Sequence, residues 1–211
     1  MAKIPKGMTL EITTMLQHGA FYSFGRDAHY RPIWVLRMIS AIDLVKKYTA
    51  TKVKNMLNCF FNQLLNKMTI QGQVENWVSI YDFDGCTKKH HDSKIKEIFK
   101  IIDELNASYC TRAYRNYWFN FANELKNIAL MKMKTEKQQI QIIHLTKSSH
   151  NMMWDHMNQE QVEKKFGGFQ EDLTANWWPP KCPSENFHSI NGPVAPIISE
   201  EEYVRRAEMN E

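Results

Sequence analysis

The chain has 211 residues, of which 43% are hydrophobic, and 27 Lys and Arg against 23 Asp and Glu give a net charge of +4. This length supports one well-formed core with a tail rather than two independent cores. The small positive charge lacks the dense basic stripe that nucleic-acid binding needs. The four cysteines have no Cys-x-x-Cys spacing, which indicates reduced thiols in a cytoplasmic protein. We also find no signal peptide at the amino terminus and no uncharged stretch near the ~20 residues of a membrane span, so any membrane contact is expected to be peripheral.

The first part of the chain predicts one strand and one long helix. Residues 1–30 contain several glycines among aromatic residues and are expected to be irregular, apart from a short helix over residues 10–17. Residues 31–37 predict the first strand, with Pro32 at its start because proline has no amide to donate to a ladder. Apolar residues at spacings of three and four between Val53 and Met68 then predict a helix, with Thr51 as a candidate N-cap.

The middle of the chain continues the alternation of strands and helices. Residues 76–82 predict a second strand that runs into a turn at Asp84-Gly85. Residues 95–105 predict a second amphipathic helix, and residues 117–121 predict a strand rich in aromatic side chains.

A short hydrophobic helix is predicted over residues 125–133, and a last strand over residues 139–145. A further helix is expected over residues 152–164, closed by Gly167 and Gly168, which should adopt positive φ. Short apolar strands that alternate with helices predict an α/β fold of three layers, with a mostly parallel sheet buried on both faces.

One face of this sheet predicts a hydrophobic pocket. Trp77, Ser79 and Tyr81 share a face because strand side chains alternate between the two sides. Phe119 is expected on the corresponding face of its strand, with the helix over residues 125–133 closing over both. An apolar cavity with few polar groups is typical of small-molecule sites, although the pattern alone favours a solid core.

Five short motifs resemble, in order, those of the CRAL-TRIO family, the Sec14-like lipid-binding domains. They are Gly25-Arg26-Asp27 with Tyr30-Arg31-Pro32-Ile33, Ile80 to Gly85, Tyr109 to Arg112, Phe119-Asn120, and Lys165-Phe166-Gly167-Gly168. Ala122 stands where the family has a proline after its asparagine, and the segment that follows is shorter than the family's gate.

The resemblance implies a function and a division of the chain. Residues 1–24 form a lead-in, residues 25–168 a lipid-binding domain, and residues 169–211 an extension able to reach a protein partner. The domain binds a lipid or another hydrophobic small molecule and carries or presents it, with no catalysis and no cofactor, and it meets membranes transiently. The residues expected to line the pocket are Trp34, Leu36, Trp77, Ser79, Tyr81, Ile98, Ile102, Phe119, Leu125, Ile128, Ala129, Ile140 and Ile142.

The same resemblance bears on which ligand is bound. Members that bind phosphatidylinositol hold the head group with two strand hydroxyls, a glutamate and a lysine. This chain has Ser79 at one hydroxyl position, but Trp77 at the other, Lys100 near the glutamate and Gln139 near the lysine. Inositol lipids are therefore not favoured.

Two other function classes are kept as alternatives. A collapsed pocket would make the domain a protein-interaction module, consistent with the absent head-group residues and the short gate. A hydrolase on an α/β scaffold is a distant alternative, because no Gly-x-Ser-x-Gly nucleophile motif occurs. We expect no metal site, since His144, His150 and His156 are spaced six apart.

Overall fold

The computed structural model describes residues 8–70, 74–87, 93–109, 112–121, 141–146 and 149–181. The helices are α1 (Leu10–Leu16), α2 (Met38–Lys47), α3 (Ala50–Met68) and α4 (Ser93–Ser108), and the strands are β1 (Phe21–Arg26), β2 (Pro32–Arg37), β3 (Trp77–Asp82), β4 (Ala113–Phe119) and β5 (Gln141–Leu145). Three short 3₁₀ turns follow at His150–Met153, Gln159–Gln161 and Lys164–Phe166.

The five strands form one sheet in the order β1-β2-β3-β4-β5. Strand β1 pairs with β2 in the antiparallel sense, and the other neighbours are parallel. The predicted α/β fold with a mostly parallel sheet is therefore confirmed. The sequence analysis missed β1, which it assigned to an irregular lead-in.

All four helices lie on one side of the sheet, which we call the front face. Helices α2 and α3 connect β2 to β3, and α4 connects β3 to β4; right-handed crossovers between neighbouring parallel strands in sequential order fall on the same side. Apolar residues of α1 to α4 accordingly share one hydrophobic cluster with Trp34, Leu36, Trp77, Tyr81 and Trp118 of the sheet.

The helix boundaries depend on capping side chains. The hydroxyl of Thr49 accepts a 3.4 Å hydrogen bond from the amide of Lys52, which makes Thr49 the N-cap of α3. The predicted cap, Thr51, lies within the first turn of this helix, so that prediction was wrong by two residues. Helix α2 was missed altogether, because it follows β2 directly and its N-cap, Arg37, makes no side-chain capping bond.

The opposite side of the sheet, the back face, is covered by residues 149–181. Met153, Met157, Val162, Phe166 and Trp177 pack there against apolar residues of all five strands. The helix predicted over residues 152–164 is wrong, because this stretch forms separate 3₁₀ turns. The backbone of Glu163 instead pairs with that of Gln170, which takes the chain out of a helical path.

Residues 177–181 wrap around the edge strand β1. Trp177 packs in the back cluster, whereas Trp178 belongs to the front cluster. The amide of Lys181 donates to the carbonyl of Ser23 at 3.0 Å, and the amide of Gly25 donates to the carbonyl of Lys181 at 2.8 Å. This segment therefore covers the unpaired edge of β1.

Candidate functional site

The candidate site is the front face of strands β2, β3 and β4. Trp34 is paired with Ser79, and Ser79 with Asn116, so these residues form one row across the three strands. Leu36, Tyr81 and Trp118 form the next row. Paired residues of parallel strands point to the same side of a sheet, so both rows face the helices.

Aromatic rings make a continuous wall along this face. Tyr81 contacts Trp34 on one side and Trp118 on the other, each with ring centroids 5.6 Å apart. Trp118 also contacts Phe99 of α4 at 5.7 Å and Phe83 at 5.3 Å. Tilted and edge-on ring pairs at these distances add stability beyond the burial of their area.

Helices α3 and α4 supply the layer above the wall. Phe61 of α3 stacks on Trp77 with centroids 5.1 Å apart and meets Trp34 edge-on at 5.2 Å. Ile98 and Ile102 of α4 join the same cluster, as the sequence predicts for the apolar stripe of this helix.

This face is closed in the structure. Trp34, Trp77, Tyr81, Ile98 and Ile102 are each at most 3% exposed. These five side chains are therefore shut off from bulk water. A guest molecule has to displace part of the cover to reach the wall.

Phe119 does not lie on this face, and the prediction that placed it beside Trp77 was wrong. The pairing of β3 with β4 sets Tyr81 against Trp118 and Asp82 against Phe119. Phe119 consequently points to the back face, where it packs on Phe166 with ring centroids 4.9 Å apart. Trp118 takes the position that was expected for it.

The structure brings together most of the described residues that were predicted to line the pocket. Trp34, Leu36, Trp77, Tyr81, Ile98 and Ile102 share the front cluster, and Ser79 is buried on the same face. Ile142 lies in β5 and pairs with Asn116. The remaining predicted positions, Leu125, Ile128, Ala129 and Ile140, lie outside the described residues, as does the helix expected over residues 125–133.

Sequence reasoning missed Asn116 and Trp118. Asn116 is 8% exposed, and it precedes the stretch that was recognised as a strand. The alternation of Asn116, Trp118 and Asn120 with Tyr117 and Phe119 could have indicated which residues share a face of β4. Aromatic residues on both faces made this alternation hard to recognise.

A tight turn ends β3 at one side of the wall. The amide of Asp84 donates to Oδ1 of Asp82 at 3.0 Å, and Gly85 adopts a φ of +75°. Asp82 therefore caps the turn that was predicted at Asp84-Gly85. Burial raises the pKa of the Asp82 carboxyl, against the opposing effect of the Asp84 amide. Burial also raises the pKa of Cys86 to about 12, and the two carboxylates add to that shift.

A glycine of the first motif and a glycine of the last motif each lie close to the backbone of residues 161–162. A Cβ atom on Gly25 would lie 2.0 Å from the carbonyl oxygen of Gln161, and one on Gly168 would lie 1.9 Å from the carbonyl oxygen of Val162. Both positions require glycine because the backbone approaches so closely. Positive φ was predicted for Gly167 and Gly168; Gly167 adopts it, with a φ of +90°, and Gly168 does not.

A buried polar group connects the back layer to β1. The hydroxyl of Tyr22 donates to Oε2 of Glu163 at 2.7 Å and accepts from Nζ of Lys165 at 2.7 Å. Burial, then the charge of Glu163, raises the pKa of Tyr22 well above its usual value. The amide of Leu173 donates to the other oxygen of Glu163 at 2.8 Å. These bonds attach the back layer to strand β1.

The described residues contain no group of three or more His, Cys, Asp or Glu side chains that could hold a metal ion. No helix among these residues is both long enough and apolar enough to cross a membrane.

A family model for the CRAL/TRIO domain matches residues 16–168. The match covers more than half of the chain, and its end at Gly168 coincides with the closing glycine motif. The chain belongs to the CRAL/TRIO family, a family of lipid-binding proteins.

A comparison with solved structures supports the same fold. The chain is similar to a protein described as "Crystal structure of Sfh5", with a TM-score of 0.62 and 14% sequence identity. The similarity covers 85% of this chain and 66% of that one, so this chain spans slightly less than two thirds of that protein's length. A search of curated proteins found no match.

Proposed function

We propose that this chain binds a lipid or another hydrophobic small molecule against the front face of its sheet and carries or presents it without catalysis. The observation that carries this proposal is the aromatic wall formed by Trp34, Tyr81 and Trp118. Membership of a lipid-binding family supports the same assignment.

The contacts to the guest are proposed as follows. Trp34, Leu36, Trp77, Ser79, Tyr81, Ile98 and Ile102 form the wall and its helical side, with Trp118 in place of Phe119. Leu125, Ile128, Ala129, Ile140 and Ile142 complete the pocket, and residues 125–133 act as its movable cover.

The energetics favour binding through the wall rather than through a head group. Burial of a methylene gains about 0.8 kcal/mol, so a chain of roughly fifteen carbons offers on the order of 10 kcal/mol before the costs of ordering. We further propose that inositol lipids are not the ligand, since Trp77 occupies a hydroxyl position and Lys100 that of the glutamate.

Loading and delivery would take place at membrane surfaces, and we place the protein in the cytoplasm with peripheral membrane contact. The basic stretch at Lys88, Lys89, His90 and His91 is a candidate for that contact, and it lies outside the described residues. The role of partner contact proposed for residues 169–211 depends on residues 182–211, because residues 177–181 are already packed on β1.

Uptake from vesicles tests the proposal. The purified chain is incubated with phosphatidylcholine vesicles that carry a total lipid extract, separated by size, and its bound lipid is identified by solvent extraction and mass spectrometry. Ile98→Thr and Ile80→Thr form a matched pair, since both residues are 1% exposed and lie in the front and back clusters respectively. The proposal predicts that Ile98→Thr lowers occupancy several-fold and that Ile80→Thr does not. Equal losses in the two variants would contradict it.

A protein-interaction module is the second candidate, and the closed front face favours it. In that case the wild-type chain takes up no lipid, and a partner captured by pull-down still binds the Leu125→Asp and Ile128→Asp variants.

A further inference from the structure

Three buried polar atoms on the front face lack a hydrogen-bond partner within the described part of the chain. They are Nε1 of Trp34, Nε1 of Trp77 and Oδ1 of Asn116. The two tryptophans are 1% exposed and Asn116 is 8% exposed, so bulk water does not satisfy these atoms.

The three side chains belong to one patch of the sheet. Trp34 and Asn116 flank Ser79 on the neighbouring strands, in the same row. Trp77 precedes Ser79 by two residues on β3 and therefore shares its face. Phe61 of α3 contacts both tryptophans, with ring centroids 5.2 Å from Trp34 and 5.1 Å from Trp77. We call Trp34, Trp77, Ser79 and Asn116 the polar cluster.

Such a cluster is unusual inside a hydrophobic layer. Most buried polar atoms in folded proteins have a hydrogen-bond partner, because an unpaired one loses its hydration without compensation. The ring of Phe61 is at best a weak acceptor for the indole N–H groups, and it offers nothing to the amide oxygen. A guest that brought the missing partners would remove this penalty.

We propose that the polar cluster receives the hydroxyl group of a neutral lipid alcohol, which makes this chain selective for that class of guest. A hydroxyl oxygen accepts up to two hydrogen bonds and donates one. Two indole donors and one amide acceptor complement that capacity, and the Ser79 hydroxyl adds an adaptable group beside them. This inference rests on the proposed function, because it concerns the guest that the front face would hold.

The charge of the patch separates this class from anionic lipids. None of the front-face residues of β2 to β4 named above carries a charge: Trp34, Leu36, Trp77, Ser79, Tyr81, Asn116 and Trp118. An ionised carboxylate or phosphate buried there would have no opposite charge among these seven residues, and burial of an unpaired charge is strongly unfavourable. A fatty acid or a phospholipid head group is therefore a poor match.

Three guests with the same chain length test the proposal. The full chain is incubated with phosphatidylcholine vesicles that carry equal amounts of hexadecane, 1-hexadecanol or palmitate, and the bound guest is quantified by extraction and mass spectrometry. We expect 1-hexadecanol to be bound about tenfold more than hexadecane, equivalent to about 1.4 kcal/mol. Palmitate should be bound less than 1-hexadecanol.

Substitutions locate the source of the preference. Trp34→Phe and Trp77→Phe each remove one indole N–H and keep an aromatic ring, and both should lower the ratio of 1-hexadecanol to hexadecane at least threefold. Trp178→Phe is the matched control, since this tryptophan packs on Phe60 at 6.1 Å outside the polar cluster. It should leave the ratio unchanged.

The outcomes separate this proposal from the proposed function. Uptake of all three guests with an alcohol-to-alkane ratio near one overturns the proposal and leaves lipid binding intact; an enclosed water that already satisfies the cluster would give this result. An unchanged ratio of 1-hexadecanol to hexadecane in both Trp→Phe variants also overturns the proposal. If a variant does not fold, the ratio measured for the wild-type chain is the test. Uptake of no guest at all overturns the proposed function, and this inference with it.

Discussion

The hydroxyl of Tyr22 donates a 2.7 Å hydrogen bond to the carboxylate of Glu163, which lies 141 residues away in sequence. Both side chains are at most 1% exposed. The bond fastens the layer of residues 149–181 to the edge strand on the back face of the sheet, opposite the candidate site.

Removal of this hydroxyl should destabilise the fold. Tyr22→Phe leaves a buried carboxylate one hydrogen bond short, and bonds to charged groups are worth about 1.5–3 kcal/mol. We expect a loss of that size in the free energy of unfolding, measured by urea denaturation. Tyr114→Phe is the control, because the ring that stacks under Arg31 at 3.6 Å is kept. It should change stability by less than about 0.5 kcal/mol, and equal effects in the two variants would contradict this account.

The close approach of Gly25 to the backbone of Gln161 gives a second prediction. Gly25 and Gly85 have similar φ values of +72° and +75°, but a Cβ on Gly25 would lie 2.0 Å from a backbone oxygen, whereas one on Gly85 would have its nearest neighbour at 3.5 Å. Gly85→Ala should therefore cost only the backbone strain, about 1–2 kcal/mol. Gly25→Ala should cost about 1–3 kcal/mol more because of the clash. Similar melting temperatures for the two variants would show that the approach of Gln161 is not tight.

The raised pKa of Asp82 predicts a pH dependence of stability. The carboxyl titrates near 3.8 when exposed, and burial raises its pKa in the folded protein. The folded state thus keeps this proton to higher pH than the unfolded state. The stability contributed by this group is fully present below pH 3.8 and is lost as the pH rises through the raised pKa.

Asp82→Asn isolates this effect, since asparagine keeps the oxygen that accepts from the Asp84 amide. The unfolding free energy of the wild type minus that of the variant should fall between pH 4 and pH 7. A difference that is constant or that rises over this range would contradict the assigned direction.

Front and back faces should respond differently to loss of a phenylalanine. Phe61→Ala and Phe166→Ala each remove a ring that is 2% exposed, at a cost of about 3–5 kcal/mol. Diphenylhexatriene, a rigid apolar probe, should raise the free energy of unfolding of the Phe61 variant by at least about 1 kcal/mol more than that of the wild type, because it fills space on the guest-binding face. The Phe166 variant should gain no more than the wild type, and an equal gain in both variants would argue against the front face as the site.

The long elements of the fold could be predicted because their signals are strong. Helix α3 has seven buried residues at helical spacing, and its stripe was recognised over nearly its full length. The order of strands and helices also followed from the sequence, which fixed the mostly parallel sheet. Helix α2 lacks a capping side chain at its start, so nothing separated it from β2.

The wrong face assigned to Phe119 has a different cause. Trp118 is 5% exposed and Phe119 is 2% exposed, so both faces of β4 are buried and no polar residue marks one of them as outward. Only the pairing of Tyr81 with Trp118 determines which residues of β4 point to the front face. For the candidate site, most of the apolar residues could be predicted from the sequence. The unpaired polar atoms of Trp34 and Asn116 could not, because hydrogen bonding depends on the packed structure.

Identification of what the purified chain retains tests the central claim most directly. Native mass spectrometry of freshly purified protein, followed by solvent extraction of the same sample, compares the mass of the chain before and after extraction. The account predicts a bound hydrophobic small molecule, or its uptake after incubation with lipid vesicles, at up to about one molecule per chain. A folded chain that neither retains nor takes up any lipid would contradict it.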